Sequence, residues 1–126
     1  MLTGGVATSG REVTTFRPRT KKVLMALRKG TIYMRTYKDG TIAVMQKRLP
    51  KATREALLED LDGSLDSMND DGTFAPDAAR RDLALRAELL NVPPDKIPPI
   101  EKAFDFTIAQ EVNQELKASG WKPPSE

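Results

Sequence analysis

The residues best suited to chemistry in this sequence are Tyr33, Arg35 and Tyr37, which alternate along the chain. In a β-strand this spacing places all three side chains on one face. Two aromatic rings and a guanidinium on one face favour stacking on single-stranded bases or insertion into a duplex groove. The alternative is the ordinary solvated face of an antiparallel sheet, where Tyr and Arg pairs are common.

Cations surround these three residues. Residues 11–54 contain thirteen Lys and Arg against two acidic residues, so this basic half has a net charge of +11. Clustered cations bind phosphates without sequence choice, and the affinity falls as salt rises. We expect a nucleic-acid partner, DNA more than RNA, at a site that comprises Arg17, Arg19, Lys21, Lys22, Arg28, Lys29, Tyr33, Arg35, Tyr37, Lys47, Arg48 and Lys51.

The second half of the chain is acidic. Residues 55–126 contain sixteen acidic residues against seven basic ones, a net charge of −9 that leaves +2 for the whole chain. This half either neutralises the basic half within the fold or forms an interface with a protein partner or a second copy. Its large aromatic residues are the expected anchors of such an interface. They are Phe104, Phe106 and Trp121.

Several kinds of chemistry are disfavoured by what the sequence lacks. With no His and no Cys, the chain has no imidazole or thiol catalyst and no zinc ligand set. The run Asp70-Asp71-Gly72 resembles part of a calcium loop, but Ala78 stands where the bidentate Glu belongs. We therefore expect no enzyme, no catalytic residue, no metal site and no cofactor.

Length and composition predict one small domain. The chain has 126 residues, of which 39% are hydrophobic and 30% charged, as in globular proteins with a modest core. No apolar run approaches the roughly 20 residues of a membrane span, and the start lacks the features of a secretory signal. We expect a cytoplasmic protein with a flexible tail at 1–10 and a single domain at 11–126, divided into the basic half (11–54) and an acidic helical half (55–121).

The local pattern in the basic half predicts a helix and a hairpin. Thr20 is a candidate cap for a helix that ends at Gly30, and residues 13–16 form a possible short strand. Two β-prone runs, 31–37 and 41–47, are separated by Lys38-Asp39-Gly40, a loop typical of a type I turn with a glycine bulge. In that register Met34 faces Val44 across the hairpin.

The acidic half reads as helical. Helices are predicted at 51–61 and 77–90, the second with Pro76 in its first turn and an apolar stripe of Ala79, Leu83, Ala87 and Leu90. Residues 62–73 and 92–99 are predicted as a loop and an extended connection. An amphipathic helix follows, whose apolar stripe covers 100–116 and whose end is predicted at Gly120. The expected fold class is therefore α+β, with an N-terminal helix and β-hairpin followed by a helical half.

These patterns favour a small DNA-binding regulator or accessory protein that contacts phosphates and bases through its basic helix and hairpin. The alternative is a protein–protein interaction module, such as an inhibitor, an antitoxin-like partner or an assembly factor, that binds through the acidic half. Salt dependence separates the two, because phosphate contacts weaken with salt far more than an apolar interface does.

Overall fold

The computed structural model describes residues 5–124, and within that range the chain is helical with no β-strand. The expected α+β class is therefore wrong. Between residues 5 and 124, seven α-helices and one 3₁₀ turn at Pro94–Lys96 follow one another. The α-helices are α1 (Gly10–Thr14), α2 (Arg17–Thr36), α3 (Lys38–Arg48), α4 (Arg54–Ser67), α5 (Pro76–Leu89), α6 (Ile100–Ala103) and α7 (Thr107–Ser119).

The predicted hairpin is replaced by helix. Residues 31–37 belong mostly to the end of α2, and residues 41–47 lie within α3. The threonines that favoured strands are accommodated because their hydroxyls donate to carbonyl oxygens four residues earlier. These bonds run from Thr31 to Leu27 at 3.1 Å, from Thr36 to Ile32 at 2.8 Å and from Thr41 to Tyr37 at 2.9 Å.

The predicted turn and the possible third strand are also wrong. Lys38, Asp39 and Gly40 form the first turn of α3, where the Asp39 carboxylate suits the positive end of the helix dipole. Residues 13 and 14 lie in α1, whose first turn is capped by the Ser9 hydroxyl as it accepts from the Glu12 amide at 3.3 Å. Serine at this position satisfies one otherwise unpaired amide and so favours helix over strand.

The hydrophobic core lies between α3 and α4. Ile42 on α3 is fully buried against three leucines of α4 that recur every four residues: Leu57, Leu61 and Leu65. Met34, Met45, Ala52 and Leu58 pack around them. A face with this spacing can be buried only if both segments are helical, which explains why tertiary packing overrides the β-propensity of residues 41–47. Helix α4 begins later than predicted, after the Thr53 cap, and continues to Ser67.

A second packing layer joins α2 to α7. Helix α7 buries Ile108, Val112 and Leu116, the C-terminal part of the predicted amphipathic stripe. The predicted helix over 100–116 is interrupted at 104–106, where the Asp105 side chain accepts from the Thr107 amide at 2.9 Å. These Thr107 hydrogen bonds hold the pKa of Asp105 below its usual value. The predicted end at Gly120 is confirmed, with φ at 61°.

Helix α5 begins at Pro76 as predicted and contacts α6. The connection after it, predicted as extended, contains the 3₁₀ turn.

Two sequence predictions concern the chain ends and the membrane. Residues 1–4 of the predicted tail lie outside the described residues, whereas residues 5–9 are exposed and have no regular secondary structure. Across residues 5–124, no helix combines the length and the apolar character that crossing a bilayer requires. The cytoplasmic location stays a prediction.

Candidate interaction surfaces

The basic residues of α2 mostly face acidic residues of the same chain. Arg17 and Lys21 form ion pairs with Glu111 and Glu115 on α7. The Arg17 guanidinium beside Glu111 lowers the pKa of that carboxyl, and hydrogen bonding to Glu115 raises the pKa of the Lys21 ammonium. Both cations were predicted to contact phosphates, which stays a prediction, and in the structure both form ion pairs with α7.

A hydrogen-bonded chain extends this contact about two turns further along α2. The Arg28 Nε donates to the Asn113 Oδ1 at 2.8 Å, and the Asn113 Nδ2 donates to the backbone oxygen of Asp71 at 2.8 Å. Asp71 itself accepts from the Thr73 amide and hydroxyl, which lowers the pKa of its carboxyl. Arg28 therefore helps to hold both α7 and the loop after α4 in place.

The predicted stacking face of Tyr33, Arg35 and Tyr37 does not form. Because α2 is helical, Tyr33 and Tyr37 lie one turn apart, with ring centroids separated by 5.4 Å. Arg35 points elsewhere and donates to the backbone oxygens of Leu65 and Met68 at the end of α4, at 3.0 and 2.9 Å. A platform of three alternating side chains requires a strand, so this part of the predicted nucleic-acid site is not assembled.

Other predicted cations are engaged by rings. Arg19 pairs with Glu12 and lies 4.7 Å from the centre of the Phe16 ring. The Lys29 ammonium lies 5.0 Å from the centre of the Trp121 ring, a distance typical of cation–π attraction. Trp121, predicted as a partner anchor, thus contacts the basic helix.

Four of the predicted cations remain exposed, with no ion pair among the residues that the structure describes. They are Lys22, Lys47, Arg48 and Lys51. The last three lie within five residues, at the end of α3 and in the turn that follows. Within the predicted basic site, residues 47–51 are therefore a short stretch in which several accessible cations lie close together in sequence.

The other two predicted anchors lie in an aromatic cluster. Phe104 and Phe106 both pack edge-on against Phe74, with ring centroids 5.2 and 4.6 Å away. All three rings are half-buried. Phe74 was not identified from the sequence, because it lies in the loop before α5 and belongs to no apolar stripe. The cluster fixes the turn between α6 and α7 and leaves part of each ring accessible.

Sequence reasoning also missed an apolar face on α5. Leu85, Leu89 and Leu90 are 40%, 63% and 73% exposed, although leucine is usually buried. The predicted stripe of this helix is only partly correct, since Ala79 and Ala87 are buried whereas Leu90 is not. The sequence did contain a signal for this face. Leu85 and Leu89 are four residues apart and lie outside the predicted stripe, which indicates a second apolar face on the same helix.

Acidic side chains do not assemble a metal site in the part of the chain from residue 5 to residue 124, where no three potential ligands come together. A scan against protein-family models, a search of curated proteins and a search of solved structures each found no match for this chain.

Proposed function

We propose that this chain is a protein–protein interaction module, and that the apolar face of α5 is covered by another polypeptide. The observation that supports this most directly is the exposure of Leu85 and Leu89 on α5 and of Leu90 directly after it. Contiguous exposed apolar side chains are typical of interaction sites, since each carries a free-energy cost that burial removes.

The total surface supports the same proposal. A compact monomer of 14.0 kDa exposes about 6,700 Å², whereas this chain exposes 9318 Å². The six residues outside the described range account for at most about 1,000 Å² of this area. About 1,600 Å² of excess surface remains, about twice the roughly 800 Å² that each partner buries in a standard protein interface.

The charge distribution argues in the same direction. Four of the ten cations of the predicted nucleic-acid site make contacts with α4 or α7: Arg17, Lys21, Arg28 and Arg35. Binding them to nucleic acid requires breaking those contacts. An interface on α5 does not require this change.

Site-specific photo-crosslinking tests this proposal. A photoreactive phenylalanine analogue at Leu89 is expected to form an adduct with a polypeptide in cells that express the protein. The same analogue at Glu59, an exposed position on α4, serves as the matched control. Equal adduct formation from both positions, or none from either, contradicts the assignment of α5 as the interface.

A second candidate function rests on the exposed cations Lys47, Arg48 and Lys51. Three phosphate contacts give weak binding whose log–log slope against salt is about −2.7, or about −0.9 per contact. Fluorescence anisotropy with labelled DNA and RNA oligomers measures this slope. Triple substitution of the cluster with Ala removes the binding, whereas Lys102→Ala, at an exposed cation on α6, leaves it unchanged. Retained binding in the triple variant excludes the cluster as the site.

A further inference from the structure

The exposed face of α5 has a charge pattern as well as an apolar one. Leu85 and Leu89 lie one helical turn apart, and Arg81 and Glu88 lie beside them on the solvent side of the helix. The opposite side is turned inward, since Ala79, Asp82 and Ala87 are buried. The outward surface therefore contains two leucines, one cation and one anion.

Neither charged residue on this face has an ion-pair partner among residues 5–124. Arg81 and Glu88 are exposed and form no ion pair within residues 5–124. Neighbouring charges on the same helix are paired, Arg80 with Asp77 at 2.7 Å and Arg86 with Asp82 at 2.6 Å. The two unpaired groups are the ones next to the exposed leucines.

This arrangement is self-complementary about a twofold axis. Arg81 and Glu88 are seven residues apart, so they lie about 10.5 Å apart along the helix axis on nearly the same side. If a second α5 lies antiparallel across the face, with the axis between Ala84 and Leu85, each Arg81 faces a Glu88 of the other copy. Both ion pairs then form at once, on the edge of an apolar seam in which the two Leu85 side chains meet at the axis. The two Leu89 side chains flank it, about 13.5 Å apart along the helix axis.

We propose that the partner which covers α5 is a second copy of this chain, bound through antiparallel packing of the two α5 helices. The inference rests on the proposed interaction function and deepens it by naming the partner. A dimer of this kind is isologous, because the same surface is used by both copies. The apolar seam supplies affinity, and the Arg81–Glu88 pairs select the antiparallel orientation.

Charge reversal tests both the partner and the orientation. Arg81→Glu leaves two anions on each face and Glu88→Arg leaves two cations, so each variant alone repels its own copy. We expect sedimentation velocity to show a dimer for the unmodified protein and self-association weakened at least about tenfold in each variant. An equimolar mixture of the two variants is expected to recover the dimer, because every contact across the axis then joins opposite charges.

Chemical crosslinking gives an independent readout, because the chain contains no cysteine. Ala84→Cys places a thiol beside the proposed axis, and a short bismaleimide is expected to join two copies. Glu59→Cys on α4 is the matched control and is expected to remain uncrosslinked. Circular dichroism of every variant verifies that the helices are intact.

Three outcomes overturn the proposal: a monomer at every concentration up to several hundred micromolar, a dimer that ignores both charge reversals, or equal crosslinking from positions 84 and 59. A monomer whose Leu89 still crosslinks to a different polypeptide refutes the second copy and retains the interaction function. A monomer with no adduct at Leu89 refutes both.

Discussion

Arg35 on α2 closes the end of α4 by donating to the backbone oxygen of Leu65 at 3.0 Å. The last carbonyls of a helix have no partner within the helix, and a cation at this end also suits the helix dipole. The same guanidinium bonds the Met68 oxygen and lies 3.2 Å from the Asp70 carboxylate. A residue that the sequence assigns to ligand binding thus joins two helices.

Arg35→Ala is expected to lower the free energy of unfolding by about 1–2 kcal/mol. This expected loss of stability is smaller than the loss for a fully buried hydrogen bond to a charged group, because the Arg35 side chain is 33% exposed. Arg48→Ala, at an exposed cation with no ion pair among the described residues, is the control and is expected to change stability by less than about 0.5 kcal/mol. Urea unfolding followed by circular dichroism measures both, and equal effects contradict the capping role.

Leu61→Ala is expected to destabilise the chain by about 2–5 kcal/mol, because it opens a cavity in the core between α3 and α4. Leu85→Ala removes the same atoms from a side chain that is 40% exposed, so in dilute solution it is expected to cost less than about 1 kcal/mol. Chemical denaturation of the two variants at low protein concentration provides the comparison. Similar losses in both refute the assignment of α5 as an uncovered face.

Gly30→Ala is expected to stabilise the chain by about 0.5–1 kcal/mol, because Gly30 lies inside α2 and an added methyl group meets open space. Gly120→Ala is expected to destabilise it by about 1–2 kcal/mol, since Gly120 ends α7 with a positive φ of 61°. Thermal melting of both variants verifies the opposite signs. If α2 instead ended at Gly30, as predicted from the sequence, Gly30→Ala would destabilise the chain.

Acid is expected to weaken the contact between α2 and α7. The pKa of Glu111 is lowered by Arg17, so its ion pair contributes stability above the ordinary pKa of 4.5 and loses it as the pH falls through the lowered value. Glu111→Gln is expected to be less stable than the unmodified chain at pH 7 and equally stable once that carboxyl is protonated. Melting temperatures of the variant and the unmodified chain, measured from pH 7 downward, test whether the two stabilities converge. A difference that stays constant with pH contradicts the prediction.

Only part of this fold was accessible from the sequence. The start of α5 at Pro76 and the end of α7 at Gly120 were predicted because local backbone chemistry decides both. The hairpin prediction failed because residues 31–47 are decided by distant packing: Ile42 is buried by leucines at positions 57–65. β-Propensity alone does not contain that information.

The same limit applies to the predicted nucleic-acid site, which stays a prediction. Composition located the cations correctly but not what they face, and the contacts of Arg17 and Lys21 lie about ninety residues further along the chain. The sequence shows that α5 contains more leucines than its predicted apolar stripe uses. Which of them are exposed depends on the face of the helix that packs.

The pairing of α2 with α7 has a consequence for how the chain acquires its structure during synthesis. Arg17 and Glu111 are separated by 94 residues, as are Lys21 and Glu115, so α2 lacks its partner until most of the chain has left the ribosome. The α3–α4 core needs only a short loop closure and is expected to form first. For several seconds of translation residues 17–36 are thus expected to be a basic segment without acidic partners, and α7 is expected to pack last.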